Sequence, residues 1–312
     1  MLMNNDNTLF LTICLNPTLQ KTLLFDNFRE DQVNRCGQLF LDASGKGVNV
    51  SRILQQLGQR VHHITQLGGR DKELFHGLTE QTEVTLSFVE SDSQVRYCST
   101  LLNRQSNTTT EIIEPTQPVG DNVENEFFEL FRSLLPQAHT VIISGTKAPG
   151  FSDDLYPGLV KEAKYCGKTV ILDIKGNDLI NSLPFAPDFI KPNLSEFTET
   201  FFSLDSVWEN ETDSEHLKKT GEKMIEIFDT FGITSVITRG SQGCLYNDKE
   251  QICSVEADVI EPVNTIGCGD AFTAGFASSW HQNKNLSKAV ASGMETAKMN
   301  ALSIRPGNIL QT

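Results

Sequence analysis

The chain has 312 residues, 38% hydrophobic and 21% charged, an ordinary globular composition that excludes the disordered, fibrous and membrane-spanning classes. Its formal net charge of -14 excludes a broad cationic footprint for nucleic acid or an anionic membrane surface, so an anionic ligand has to be met by a few local cations. Seven scattered cysteines with no Cys-x-x-Cys pair offer neither a disulfide framework nor a structural zinc site, which fits a reducing, cytoplasmic compartment.

The first apolar run, Leu9 to Leu15, has no basic leader and no small-residue cleavage pattern. It is far short of the ~20 residues a span requires, so it reads as a strand. Further short apolar runs follow at Val61 to Thr65, Val141 to Ser144, Val170 to Ile174, Phe189 to Ile190 and Ser235 to Thr238, most of them separated by segments of helical spacing. That rhythm is βαβ, and continuous runs such as Val141-Ile142-Ile143 suit parallel strands covered on both faces. Val48, Val50, Ile53, Leu54 and Leu57 form one helical stripe that begins after Gly45-Lys46-Gly47, and a second helix opens at Gly269-Asp270 with Phe272, Ala274, Phe276 and Ala277.

Two segments break the rhythm, Thr18 to Leu41 and Gln94 to Ile113; in the second, Tyr97 to Leu102 and Thr108 to Ile113 read as a hairpin turning near Gln105-Ser106-Asn107. The expected architecture is therefore an α/β, doubly wound, mostly parallel core made of residues 1–17, 42–93 and 114–312, with a small β lid from 18–41 and 94–113. The acidic stretch Asp205 to Glu215 reads as a solvated loop leading into a helix.

Two glycine-flanked helix starts carry the chemistry. In Gly267-Cys268-Gly269-Asp270 small residues expose backbone N–H groups at a helix N-terminus, an anion site by its unpaired donors and its dipole. A carboxylate at that point suits phosphoryl transfer, in which donors stabilise the moving phosphoryl group and an acid residue takes the proton of the attacking hydroxyl. Taken alone, Asp270 reads equally well as a helix cap. In Ser44-Gly45-Lys46-Gly47-Val48-Asn49 the glycines surround a cation, with an amide one turn later. Neither this segment nor Gly167-Lys168-Thr169 has Walker spacing, and Val50 breaks a dinucleotide fingerprint. The isolated histidines support no alternative mechanism, and Cys268 is the one cysteine a helix N-terminus could activate.

The order of these signals with Asn16-Pro17, Gly68-Gly69, Arg96, Ser144-Gly145, Asp173, Lys191-Pro192-Asn193-x-x-Glu196, Thr238-Arg239-Gly240-x-x-Gly243 and Asn264 to Asp270 resembles the PfkB (ribokinase-like) sugar kinases, from about residue 9 to 300. The Asn16-Pro17, Ser44 to Asn49 and Arg96 to Pro115 segments look most like its phosphosugar branch, the 1-phosphofructokinases and tagatose-6-phosphate kinases. The resemblance implies ATP along Lys191, Asn193, Thr238, Gly240, Gly243 and Asn264. It also implies Asp270 as base over an anion hole of Gly267, Cys268 and Gly269, and Asn193 with Glu196 on the Mg²⁺ side, through water. The sugar falls between lid and core, near Asn16, Gln20, Gly45 and Asn49, with Lys46, Arg96 and, more weakly, Arg104 for a phosphate it already carries.

One departure stands out. Gln20 occupies the place of the Asp that this branch carries after Asn-Pro, and an amide cannot supply that charge. Three readings follow: a ketohexose-monophosphate kinase, a kinase of a neutral sugar or nucleoside, and a non-catalytic sensor. Lid strands with open edges also suggest a homodimer through the lid.

Overall fold

The computed structural model describes residues 9–202 and 213–310. In the first half lie β1 (Leu9–Cys14), β2 (Thr18–Phe25), β3 (Gln38–Ser44), α1 (Lys46–Gln56), β4 (Arg60–Gly68), α2 (Lys72–Glu80), β5 (Thr85–Ser91), β6 (Arg96–Asn103), β7 (Thr108–Ile113), α3 (Val123–Leu134) and β8 (Ala138–Ser144). Then come α4 (Leu155–Tyr165), β9 (Thr169–Asp173), α5 (Gly176–Ser182), β10 (Phe189–Ile190), α6 (Leu194–Phe202), α7 (Ser214–Phe231), β11 (Thr234–Thr238), β12 (Cys244–Asp248), β13 (Gln251–Val255), α8 (Cys268–Asn283) and α9 (Leu286–Ala301). No helix among the described residues is long and apolar enough to cross a membrane.

The large sheet runs β13-β12-β11-β10-β9-β8-β1-β4-β5, parallel from β11 to β5 and closed at one edge by the antiparallel β12–β13 hairpin. Both faces are covered, which is why its central strands are mostly apolar. Ile142 of β8 points into one core with Phe10, Val50, Ile53 and Phe272, beneath α1, α8 and α9. Its neighbours Val141 and Ile143 point into the other, with Phe127, Leu159 and Phe197 beneath α3, α4 and α6. Small residues set the spacing of the first layer: a Cβ on Gly275 of α8 would lie 2.7 Å from the Ser292 carbonyl of α9, too close for any other residue.

The second sheet has four strands in the order β3-β2-β6-β7, with β2 and β6 parallel and the rest antiparallel. One face packs Leu19 and Ala43 on Val48, Leu67 and Phe75. The other presents buried polar groups: Gln20 stands across from Asp42 on β3, and Thr22 across from Thr100 on β6. β3 continues to Ser44, past the boundary expected at residue 41, because the strand feeds α1 with only Gly45 between them. The hairpin expected near Gln105 is present as β6 and β7. Of the acidic stretch, residues up to 212 lie outside the described residues; beyond them Asp213 caps α7 by accepting from the Glu215 N–H.

Candidate active site

The C-terminal ends of β1, β8, β9 and β10 converge on the N-terminus of α8, the place where open α/β sheets bind ligands. Gly267 caps that helix with φ 81°, a left-handed conformation open to glycine at little steric cost. Asn264 shapes the preceding loop, its Oδ1 accepting from the Ile266 N–H at 3.0 Å and its Nδ2 donating to the Ile304 carbonyl at 2.8 Å. Asn300 of α9 holds the same loop from behind, donating to the Ile266 carbonyl at 2.8 Å and accepting from the Gly307 N–H at 2.9 Å. Sequence reasoning missed Asn300; a single amide on the packed face of a helix gives no signal until its partners are known.

Asp270 is buried in the first turn of α8 and accepts a 2.7 Å hydrogen bond from Asn49 Nδ2. The Asn49 amide is fixed from its other end, because Ser44 Oγ lies 3.0 Å from its Oδ1. Burial pushes the Asp270 carboxyl up to about 7, the negative charge of Asp173 adds to the rise, and Lys46, the Asn49 bond and Lys191 oppose it. A carboxylate that ionises near neutrality is matched to general-base work. Gly269 keeps the helix start open, and a Cβ there would lie 3.6 Å from Lys191 Nζ.

Asp173, at the end of β9 and fully buried, is the hub of the charges. Lys46 Nζ lies 3.1 Å from its Oδ1, while Lys191 Nζ at 3.3 Å and Thr273 Oγ1 at 3.2 Å meet its Oδ2. Burial works against its charge, yet the two lysines outweigh burial and hold the carboxyl below its ordinary range. Lys46 also reaches Glu196 Oε1 at 2.9 Å. Glu196 and Asn193 brace each other, Asn193 N–H donating to Glu196 Oε2 at 3.0 Å and Glu196 N–H to Asn193 Oδ1 at 2.7 Å. No group of three or more His, Cys, Asp or Glu side chains among the described residues forms a metal cage. One or two carboxylates with retained water and substrate phosphates are what Mg²⁺ takes, so Glu196 beside Asp173 fits that ion. Asn193 forms an isolated bridge to Thr238, which carries the turn of Gly240 and Gly243 to the same end of the sheet.

On the small-sheet side Asn16 is spanned by Thr116 at 3.0 Å and Thr146 at 3.4 Å. Gln20 donates to Thr100 Oγ1 at 2.7 Å. Arg96 starts β6 across from Thr18, donates to the Glu114 carbonyl at 3.2 Å and keeps Nε buried without a partner. Arg104 lies beyond the other end of β6, eight residues and about 26 Å along an extended chain, exposed and paired with Asp26. The two arginines therefore cannot grip one phosphate. Cys268 Sγ lies 3.5 Å from Asn300 Nδ2, inside the loop support.

A doubly wound sheet with a small second sheet, and a buried carboxylate under backbone donors at a helix start, define the ribokinase-like class of phosphotransferases. Solved structures share the fold: phosphofructokinase-2 from Escherichia coli in complex with substrates and products is 22% identical, with a TM-score of 0.82 over 95% of this chain and 93% of that one. A possible 1-phosphofructokinase from Thermotoga maritima is 22% identical with a TM-score of 0.81, over 93% of this chain and 92% of that one. Ribokinase from the same organism is 16% identical with a TM-score of 0.71, over 96% and 94%. The chain belongs to the pfkB family of carbohydrate kinases, whose model matches residues 15–312. It is also 29% identical over 307 residues to tagatose-6-phosphate kinase from Staphylococcus epidermidis, covering 96% of this chain and 94% of that protein.

Proposed function

We propose that this carbohydrate kinase moves the γ-phosphoryl group of Mg²⁺-ATP to a free hydroxyl of a ketohexose monophosphate, fructose 1-phosphate or tagatose 6-phosphate, giving a bisphosphate. The observation that carries the reading is Asp270, buried, aimed by Asn49 and ionising near neutrality at the N-terminus of α8. Asp270 takes the proton of the attacking hydroxyl, while the N–H groups of the Gly267 to Gly269 start and Lys191 receive charge on the transferred group. Glu196, with Asn193, would hold the Mg²⁺ of the nucleotide, which would supply positive charge against the phosphates. Thr238, Gly240, Gly243 and Asn264 line the nucleotide side.

The phosphosugar assignment draws on the named staphylococcal relative and on Arg96, whose buried Nε is left for a ligand. Asn16, Gln20, Gly45 and Asn49 face the sugar, under a lid made of the second sheet, and two chains pair through the open edges of that sheet. A site built around hydroxyls discriminates by its polar partners, so the Gln20 amide selects among hexoses. The reading carries a cytosolic location.

Purified protein with Mg²⁺-ATP and a panel of sugars, nucleosides and sugar phosphates tests it, scored by ADP and by the phosphorylated product. Turnover is expected on one of the two ketohexose monophosphates, and Arg96→Ala should cut kcat/KM for that substrate by tenfold or more while sparing neutral sugars. Equal losses on neutral and phosphorylated acceptors would move the assignment to a neutral sugar. Ligand binding with no ADP formed anywhere on the panel would make the protein a sensor.

A further inference from the structure

Lys46 is the first residue of α1, and its stem crosses Gly145, where a Cβ would stand 3.5 to 3.8 Å from its Cβ, Cγ and Cδ. Its ammonium group joins two carboxylates, at 3.1 Å to Asp173 and 2.9 Å to Glu196. The two acids are not equivalent. Asp173 keeps a second cation, Lys191, if Lys46 leaves, whereas Lys46 supplies the cation on Glu196. Lys191 is locked in the interior at 5% side-chain exposure, but Lys46 keeps 36% and has a flexible four-carbon stem.

We propose that Lys46 is an exchangeable counter-ion: a metal–nucleotide complex that takes up Glu196 displaces the ammonium group, which then becomes a ligand for the phosphate of the sugar. This rests on the reading of Glu196 as the metal-side acid. A divalent ion and an ammonium group on one carboxylate repel each other, so uptake of the first weakens the hold on the second. The backbone places the released group well, since Lys46 follows Ser44, which pairs with Thr18, which pairs with Arg96. The metal–nucleotide and the sugar phosphate then bind with positive coupling, and by linkage each strengthens the other by the same factor.

Calorimetric titration with fructose 1-phosphate or tagatose 6-phosphate, whichever turns over, reads the coupling directly, using the non-hydrolysable analogue AMPPCP with Mg²⁺ or with EDTA. In the unmodified protein Mg²⁺-AMPPCP should tighten sugar-phosphate binding about tenfold, within the usual range of coupling, and metal-free AMPPCP should not. Lys46→Met should reduce that factor below twofold while binding Mg²⁺-AMPPCP at least as tightly as before. Glu196→Gln frees the ammonium group from the other end, so its nucleotide-free affinity for the sugar phosphate should rise and no longer respond to Mg²⁺. Unchanged coupling in Lys46→Met, or unchanged nucleotide-free affinity in Glu196→Gln, would overturn the exchange. Turnover by the unmodified protein is measured first. Its failure would overturn the functional reading, whereas an unmodified protein that turns over but shows no Mg²⁺-dependent coupling would overturn the exchange alone.

Discussion

At the scale of single residues, the proposed chemistry depends on an acid that is neither freely solvated nor fully suppressed. Asp270 is raised by burial and by Asp173, and brought partly back by Lys46, Asn49 and Lys191. A general base has to be ionised to act, so kcat/KM should fall as pH drops through about 7 and level off above it. Asn49→Ala should shift this limb upward, because the amide favours the charged form. A limb near pH 4, as for a solvated aspartate, or an unmoved limb in Asn49→Ala, would show that the group titrating in the assay is not Asp270. In the proposed site Gln20 would act in a different way, changing what is offered to a hydroxyl without touching Asp270.

At the scale of elements, a buried hydrogen-bond cluster sets where α1 begins and so where Lys46 and Asn49 stand. His63 of β4 lies 2.9 Å from Thr12 Oγ1 of β1 and 3.2 Å from Ser51 Oγ of α1, and Ser51 donates to the Gly47 carbonyl at 2.6 Å. Burial and the neighbouring His62 hold the His63 pKa down to about 3. The unfolded chain takes up a proton at about 6.5 and the folded chain does not. This stabilisation is therefore complete above about pH 6.5 and is lost as pH falls toward 3. Urea unfolding at pH 7.5 and 5.0 should show a decline that His63→Leu flattens; an equal decline in both proteins would assign it to other groups.

The elements also show what the sequence makes legible. β1, β8 and β9 are recognisable because both of their faces meet a core, so consecutive apolar residues run along them with few polar interruptions. β5, β12 and β13 lie at or next to the sheet edges, and β13 reads Gln251-Ile252-Cys253-Ser254-Val255, too mixed to stand out by composition. The glycine-flanked starts of α1 and α8 announce themselves because a helix N-terminus needs them locally. What no local pattern encodes is pairing across the fold: Lys46 with Asp173 and Glu196, or Asn300 under the Ile266 loop, joins residues far apart in the chain whose proximity comes from the topology alone.

At the scale of the whole molecule, the second sheet is tied to the core at one end and open at the other. Asp42 of β3 pairs with Arg305, and Arg52 of α1 donates to the Pro306 carbonyl at 3.0 Å, so this sheet and the C-terminal segment meet beside the loop that leads into α8. Closure of such a sheet over the sugar is the expected means of keeping water from a transferable phosphoryl group. Its outer strand β7 is exposed along its whole length, with Ile112 at 57% and Ile113 at 56%, an edge that other proteins blunt or cover. Sedimentation velocity should show a dimer at micromolar concentration, and Ile112→Lys with Ile113→Lys should return it to monomer. A monomer in the unmodified protein at working concentration would remove the lid dimer.

The proposed role of the Asp270 carboxylate is to activate the acceptor hydroxyl. The direct measurement is the turnover number of Asp270→Asn against the unmodified protein, with Mg²⁺-ATP and the best acceptor of the panel, on samples shown by calorimetry to bind Mg²⁺-AMPPCP equally well. A loss of about a hundredfold or more is expected, the usual cost of removing a general base. Turnover within about tenfold of the unmodified protein would contradict it.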